Sequence, residues 1–239
     1  MGAHHTARTR LAPSVGSAWL DPGVAQLFWQ RIYNDLALKT VVPVLPKLAE
    51  KQMELIRQYN FLLLYLPALD EEQYPKSFTK LNWRRSLSGE IERLLLVGRW
   101  VAVETITKSS YDDSKGYSID PLMAAVDCAK RFSTSHTDLT NNLLGKIAKV
   151  TAFPEKSVRL PSAEEWNLIG NLFHWLRVYH QMNLPNLGST DSWEWCANNH
   201  AVNNRLIAGY AHEGGLAGVG SSEPRHHCGD IAFRVLLIL

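Results

Sequence analysis

The chain has 239 residues, 46% of them hydrophobic and 20% charged, the balance of a globular protein with enough apolar side chains for a sizeable core. Its formal net charge of +2 supplies no basic field that would make nucleic acid the main partner. The longest apolar runs, at residues 61–66 and 231–239, are too short to cross a bilayer, so no membrane insertion is expected.

Residues 1–16 are basic and rich in small side chains but lack the apolar core of a secretory signal. They are read as a flexible leader outside the fold; the location is left open, and with neither signal nor membrane span in view a cytoplasmic or virion-associated protein is expected, with surface display only through a partner. The cysteines Cys128, Cys196 and Cys228 are too few and too scattered for a disulfide framework, and no CxxC pair suggests structural zinc. Cys128 falls on an apolar helical face as a small buried hydrophobe. A pairing of Cys196 with Cys228 stays open.

A helix is expected from residues 17–21 onward through residue 39, because Val24, Leu27, Phe28, Ile32 and Leu36 recur at helical spacing. Pro43 and Pro46 interrupt it, and a second amphipathic helix follows over residues 47–59. Leu45, Leu48, Ile56 and Tyr59 lie on its buried side, and Glu50, Lys51, Glu54 and Arg57 on its solvated face. Residues 61–69 are either a buried strand or the tail of that helix, and residues 70–90 are a loop. The stretch 91–108, rich in Val, Ile, Leu and Thr, is the strongest strand candidate of the first half, and residues 111–117 form a turn. Asp120 and Pro121 open a helix with Leu122, Val126, Ala129 and Phe132 inward. Another helix spans residues 137–150 with Leu143, Leu144, Ile147 and Val150 buried. Ser162 and Glu165 form a capping box for a further helix lined by Trp166, Ile169, Phe173 and Leu176. Short apolar runs broken by Gly, Asn and Ser fill residues 189–239, the pattern of short strands and turns. The order of elements fits an α+β fold.

Four motifs then appear in a fixed order. They are RLPSAEEW at residues 159–166, DSWEWC at 191–196, the pair Gly214–Gly215, and IAFRVL at 231–236; an early strand at 100–107, WVAVETIT, precedes them. Together they resemble the formylglycine-generating (sulfatase-modifying) family, with Ala232 standing where that family usually has Gly. The resemblance covers about residues 94–239 and implies the C-type lectin fold in its formylglycine-generating-enzyme-like variant, with a helical N-terminal extension over residues 17–90 and a ligand-binding domain over 91–239. Oxidase members of this family use a pair of cysteines after the paired glycines to hold copper. Here that region carries Cys228 alone, and a soft-metal thiolate site needs both sulfurs. Iron-dependent members use a histidine triad on an N-terminal helical bundle, whereas the two helices expected here contain no His.

The branch that remains resembles the variable proteins of diversity-generating retroelements, which implies a non-enzymatic ligand-binding protein without cofactor or metal. A rigid scaffold there carries a diversified C-terminal surface, residues 189–239 in this chain, that recognises protein or glycan targets. The candidate displayed residues are Asn198, Asn199, His200, Asn203, Asn204, Tyr210, Glu213, Gly218, Gly220, Ser222, His226, His227 and Cys228. Strand alternation turns Ala217 and Val219 inward and Gly218, Gly220 and Ser222 outward. Asn is at home in turns as well. His226 and His227, adjacent on a strand, point to opposite faces and do not ligate one metal together. Trp166, Trp193, Trp195 and Phe233 are read as scaffold, with Glu194 bonding backbone amides. Two other classes stay open: a metal-dependent oxidase of the same family, and an assembly protein forming homo-oligomers through its N-terminal helices.

Overall fold

A computed structural model describes residues 21–83, 91–110, 120–128, 130–201 and 203–239. The leader, the start of the first helix, the turn at 111–117, part of the loop before residue 91, and Ala129 lie outside them.

Helix α1 (Pro22–Asp35) begins where the Asp21 carboxylate accepts the amides of Gly23 and Val24, and Pro22 takes the first helical position, where its missing N–H is no loss. Its buried face is Ala25, Trp29, Ile32 and Tyr33. Val24 and Leu27, expected inside, are 47% and 72% exposed. The helix is rotated because two large polar-tipped aromatics face the sheet: Trp29 Nε1 donates to Leu63 O at 2.9 Å, and the Tyr33 hydroxyl donates to Tyr65 O. Helix α2 (Glu50–Gln58) buries Ile56 and leads through Tyr59 into strand β1 (Phe61–Leu66), every residue of which is buried.

β1 pairs antiparallel with β2 (Arg99–Glu104) along its full length, which resolves the strand-or-helix ambiguity of that apolar run. It also makes residues 61–66 and 99–104 parts of one sheet, so a boundary at residue 90 cuts between hydrogen-bonded neighbours. The strand expected over 91–108 is confined to β2; residues 92–98 run outside it with Leu95 85% exposed. Helix α3 (Pro121–Ala125) is a single short turn capped by Asp120, so Phe132 falls beyond it. The helix expected at 137–150 runs from α4 (His136–Asp138) through a π turn (Leu139–Leu143) into α5 (Leu144–Thr151).

After β3 (Val158–Arg159) comes the longest helix, α6 (Ala163–His180), which opens on the expected reciprocal cap: the Ser162 hydroxyl accepts Glu165 N and the Glu165 carboxylate accepts Ser162 N. Arg159 forks onto the same carboxylate at 2.6 Å on both oxygens. The remaining strands are β4 (Trp193–His200), β5 (Asn204–Ala208), β6 (Val219–Ser222), β7 (Ile231–Ala232) and β8 (Leu236–Ile238). They complete two four-stranded sheets, in the orders β1-β2-β8-β3 and β6-β5-β4-β7. The architecture is mixed α+β, as expected.

α6 touches β1 of the first sheet and β4 and β5 of the second, so its apolar faces, Trp166, Ile169, Phe173 and Leu176 included, are shared by both. The last nine residues cross between the sheets. β7 belongs to one, β8 to the other, and the intervening Phe233, Arg234 and Val235 are at most 1% exposed. The C-terminal segment is thereby tied at its end into the centre of the molecule. Helices α1 and α2 pack on β1, and α2 also packs on α5.

One glycine decides how closely the second sheet approaches α6. Gly209 has φ +97°, and a Cβ there would stand 2.5 Å from the Trp166 ring. Gly209→Ala combines a left-handed backbone with overpacking against a buried indole, and is expected to lower stability by about 2–4 kcal/mol, read from urea unfolding. A loss below about 0.5 kcal/mol would mean that the ring has room to move.

Candidate functional site

Strand β4 has two faces with different tasks. Glu194, Cys196 and Asn198 are fully buried. Glu194 accepts the Trp166 indole N–H at 2.6 Å and two bonds from Arg234, at 2.9 and 3.3 Å, and so bonds side chains where backbone amides were expected. Arg234 also donates to the carbonyls of Glu104 and Ile106. Lys108, itself buried, donates to Ser192 O at 2.6 Å. Burial alone would raise the Glu194 carboxyl; Arg234 and Lys108 outweigh it and hold the group below its ordinary value. A second buried ionic cluster adjoins the first. Arg131 forks onto Glu104 at 2.6 and 2.9 Å, reaches Asp120 at 2.5 and 3.0 Å, and lies over the Phe233 ring. Glu104 in turn accepts Val235 N at 2.7 Å. The two clusters fix strand β4, the crossing at 233–235 and helix α6 relative to one another.

Burial pushes the Lys108 ammonium down to about 8, with Glu194 pulling it up and Arg234 pushing it further down. A base held below its ordinary 10.5 binds fewer protons folded than unfolded between those values, so stability rises with pH from about 8 upward. Burial also holds the Cys196 thiol above its ordinary 9.0 and the Tyr33 phenol above 10.0. Those retained protons oppose the rise beyond pH 9 and reverse it beyond pH 10. The unfolding free energy is therefore expected to climb between pH 8 and 9 and fall past 10, and Lys108→Met to flatten the climb. A wild-type curve already falling from pH 8 to 9 would contradict a buried Lys108 that gives up its proton near pH 8 in the folded state.

The opposite face of β4 carries Trp193 and Trp195. Trp195 is fully buried; it donates to Thr134 O at 3.0 Å and meets His136 edge-on. Trp193 is half-buried. Its ring stacks on Tyr210 (centroids 5.3 Å apart, 24° between planes) and lies across Gly220, where an added Cβ would come within 3.3 Å of it. Tyr210 is half-exposed, and beyond it His212 pairs with Asp191 at 3.1 Å. The loop at 223–230 is pinned from two sides. Thr137 N donates to Pro224 O, Ser133 N to Cys228 O, and Trp193 N to Asp230 O, while His227 sits 2.9 Å from Ser133 O and 3.5 Å from Asp138.

Of the residues expected on the displayed surface, Asn199, Asn203, Glu213, His226 and His227 are exposed, and Asn204, Tyr210, Ser222 and Cys228 are half-buried. Four are inside. Asn198 is fully buried because it alternates onto the same face of β4 as Glu194 and Cys196, the face that α6 covers; its amide bridges Ala163 N, Glu92 O and the Glu164 carboxylate. His200 is 5% exposed beside an isolated bridge to Ile91. Gly218 precedes β6 and is packed under the carbonyls of Glu213 and Gly215, and Gly220 is covered by Trp193, so both are buried where strand alternation placed them outward. The scaffold residues Trp166, Trp195 and Phe233 are buried. All three cysteines are free, with Cys228 Sγ 2.7 Å from Asp230.

Sequence reasoning missed the buried charges at Lys108, Arg131 and Arg234 and the surface pair His212–Asp191. Arg234 lay inside a quoted motif, and His212 two residues after Tyr210, but no local pattern marks either role. Among the described residues no group of three or more His, Cys, Asp or Glu is placed to hold a metal ion, and no helix is long and apolar enough to cross a membrane. No family model matches the chain, and no curated protein or solved structure matches it significantly.

Proposed function

We propose that this chain is a non-enzymatic ligand-binding protein: a C-type lectin-type scaffold, like that of the variable proteins of diversity-generating retroelements, whose C-terminal surface is diversified to recognise protein or glycan targets. The observation that supports this reading is the contrast along one segment. From residue 193 to 235 the buried positions, His200 apart, are packed in the apolar core or bonded into the ionic clusters, whereas Asn199, Asn203, Asn204, Tyr210, Glu213, Ser222, His226 and His227 reach solvent wholly or in part. These side chains form adaptable hydrogen bonds or offer a rigid aromatic face, as variable paratopes do. Their substitution leaves the core untouched.

The encoding DNA tests the reading. A near-copy of roughly the last hundred bases, differing at adenines and lying beside a reverse-transcriptase gene, is expected, and sibling chains should differ at the exposed positions. Differences spread evenly over residues 91–239 would refute diversification. A second reading, assembly through the N-terminal helices, draws on the exposed Val24 and Leu27 of α1. It predicts a multimer by light scattering that Leu27→Asp dissociates; a monomeric wild type rejects it.

A further inference from the structure

A separate cavity of about 90 Å³ lies beside the N-terminal end of α6. Asp70, Glu71, Trp83, Arg93 and Glu164 supply its polar wall, and Leu69 with residues 94–96 the apolar side. Three polar atoms in or next to that wall are buried with no hydrogen-bond partner: Trp83 Nε1, Glu71 Oε1 and the Tyr74 hydroxyl. Folded proteins pair nearly all such atoms, so a donor and an acceptor left open around one cavity call for an explanation. Trp83 is only 8% exposed, and the Arg93 guanidinium covers its ring at 4.9 Å, which holds the indole in place. Glu164 is held from the protein side, accepting Leu94 N and the Asn198 amide at 2.9 Å each, and burial raises its carboxyl. Tyr74 stands near the same acids: burial first, then the charges of Glu71, Glu164 and Asp70, raise its phenol. Among the described lining residues the carboxylates outnumber the one guanidinium, so the field they set inside favours a cation.

We propose that this cavity binds a small primary-ammonium compound that also carries an acceptor oxygen, of the ethanolamine or α-amino acid kind. The ammonium answers Glu71 and Glu164, and the oxygen takes the Trp83 indole N–H. The cavity has room for several water-sized groups, which suits a small ligand. This site is independent of the displayed C-terminal surface.

The test follows the Trp83 indole N–H in ¹⁵N-labelled full-length protein, assigned by its loss in Trp83→Phe, during titration with ethanolammonium, glycine, methylammonium and acetate at constant ionic strength. Ethanolammonium or glycine is expected to shift that one resonance with a Kd of about 1 mM or tighter. Methylammonium, which lacks the oxygen, should bind at least tenfold more weakly, acetate should leave the resonance still, and Glu71→Gln should weaken the binding probe at least tenfold. A shift by ethanolammonium alone assigns an amino alcohol, and a shift by glycine alone an amino acid. The proposal is overturned if no probe moves the Trp83 signal, if Glu71→Gln binds as well as wild type, or if crystals grown with the probes show only waters in the cavity.

Discussion

Glu194→Ala is expected to lower folding stability by about 3–5 kcal/mol, because it leaves the fully buried Arg234 guanidinium without its carboxylate partner. Against a typical total of about 5–15 kcal/mol, that loss brings the protein close to its unfolding threshold. The Trp166 indole loses its acceptor at the same time, so the longest helix is loosened along with strand β4. Glu194→Gln keeps the shape and one acceptor but not the charge, and falls between. The pH dependence separates the electrostatic part. The Glu194 carboxyl is held below its ordinary 4.5 in the folded state, so its contribution is complete above that value and disappears as pH falls through the lowered folded value. Urea unfolding of Glu194→Gln should therefore show a smaller loss of stability below pH 4.5 than the wild type does. Equal acid sensitivity in the two proteins would place the acid-labile charge elsewhere.

Arg131→Met has an effect of similar size for the inverse reason. It leaves Glu104, 1% exposed, without its counter-charge, and Asp120 beside it; the expected loss is again about 3–5 kcal/mol. Arg131→Lys should not rescue it, since one ammonium cannot reproduce forked bonds to two carboxylates at once. Adding Glu104→Gln to Arg131→Met removes the stranded charge and should recover part of the loss, a coupling that a double-mutant cycle measures directly. Additive losses would show that the pair is not energetically linked. The two clusters meet at Glu104, whose carbonyl accepts from Arg234 and whose carboxylate accepts from Arg131, so losses from Glu194→Ala and Arg131→Met combined should not add.

Local signals in the chain were dependable where the cause is local. Ser162 and Glu165 announce the start of α6 because a capping box is complete within four residues, and Asp120 with Pro121 marks α3 for the same kind of reason. What the sequence could not show is decided by partners far away along the chain. Residues 61–66 are a strand because Arg99–Glu104 lies against them. α1 turns Ala25, Trp29 and Tyr33 inward, leaving Val24 and Leu27 outside, because the carbonyls of Leu63 and Tyr65 need donors. The same limit explains the surface. An asparagine cluster after Trp-Glu-Trp looks uniform in sequence, yet α6 covers the β4 face that Asn198 shares with Glu194 and Cys196, while Asn199 on the other face stays outside, bonded to Glu92. Alternation failed at Gly218 and Gly220 because the first lies before the strand and the second serves as the seat of the Trp193 ring. The buried arginines carry no local signature at all, since nothing in a short window tells a solvated charge from one paired with Glu104 27 residues away or with Glu194 40 residues away.

The central claim is that the C-terminal surface can change while the scaffold beneath it stays fixed. Two displayed libraries test it directly: one randomised at Asn199, Asn203, Asn204, Tyr210, Glu213, Ser222, His226 and His227, the other at Asn198, His200, Gly218 and Gly220, each scored for protease resistance and then for capture of protein or glycan targets. The first library should remain largely folded and yield binders to unrelated targets, and the second should lose folding in most members. Equal loss of folding in both, or a folded first library that yields no binders, would contradict the proposed role.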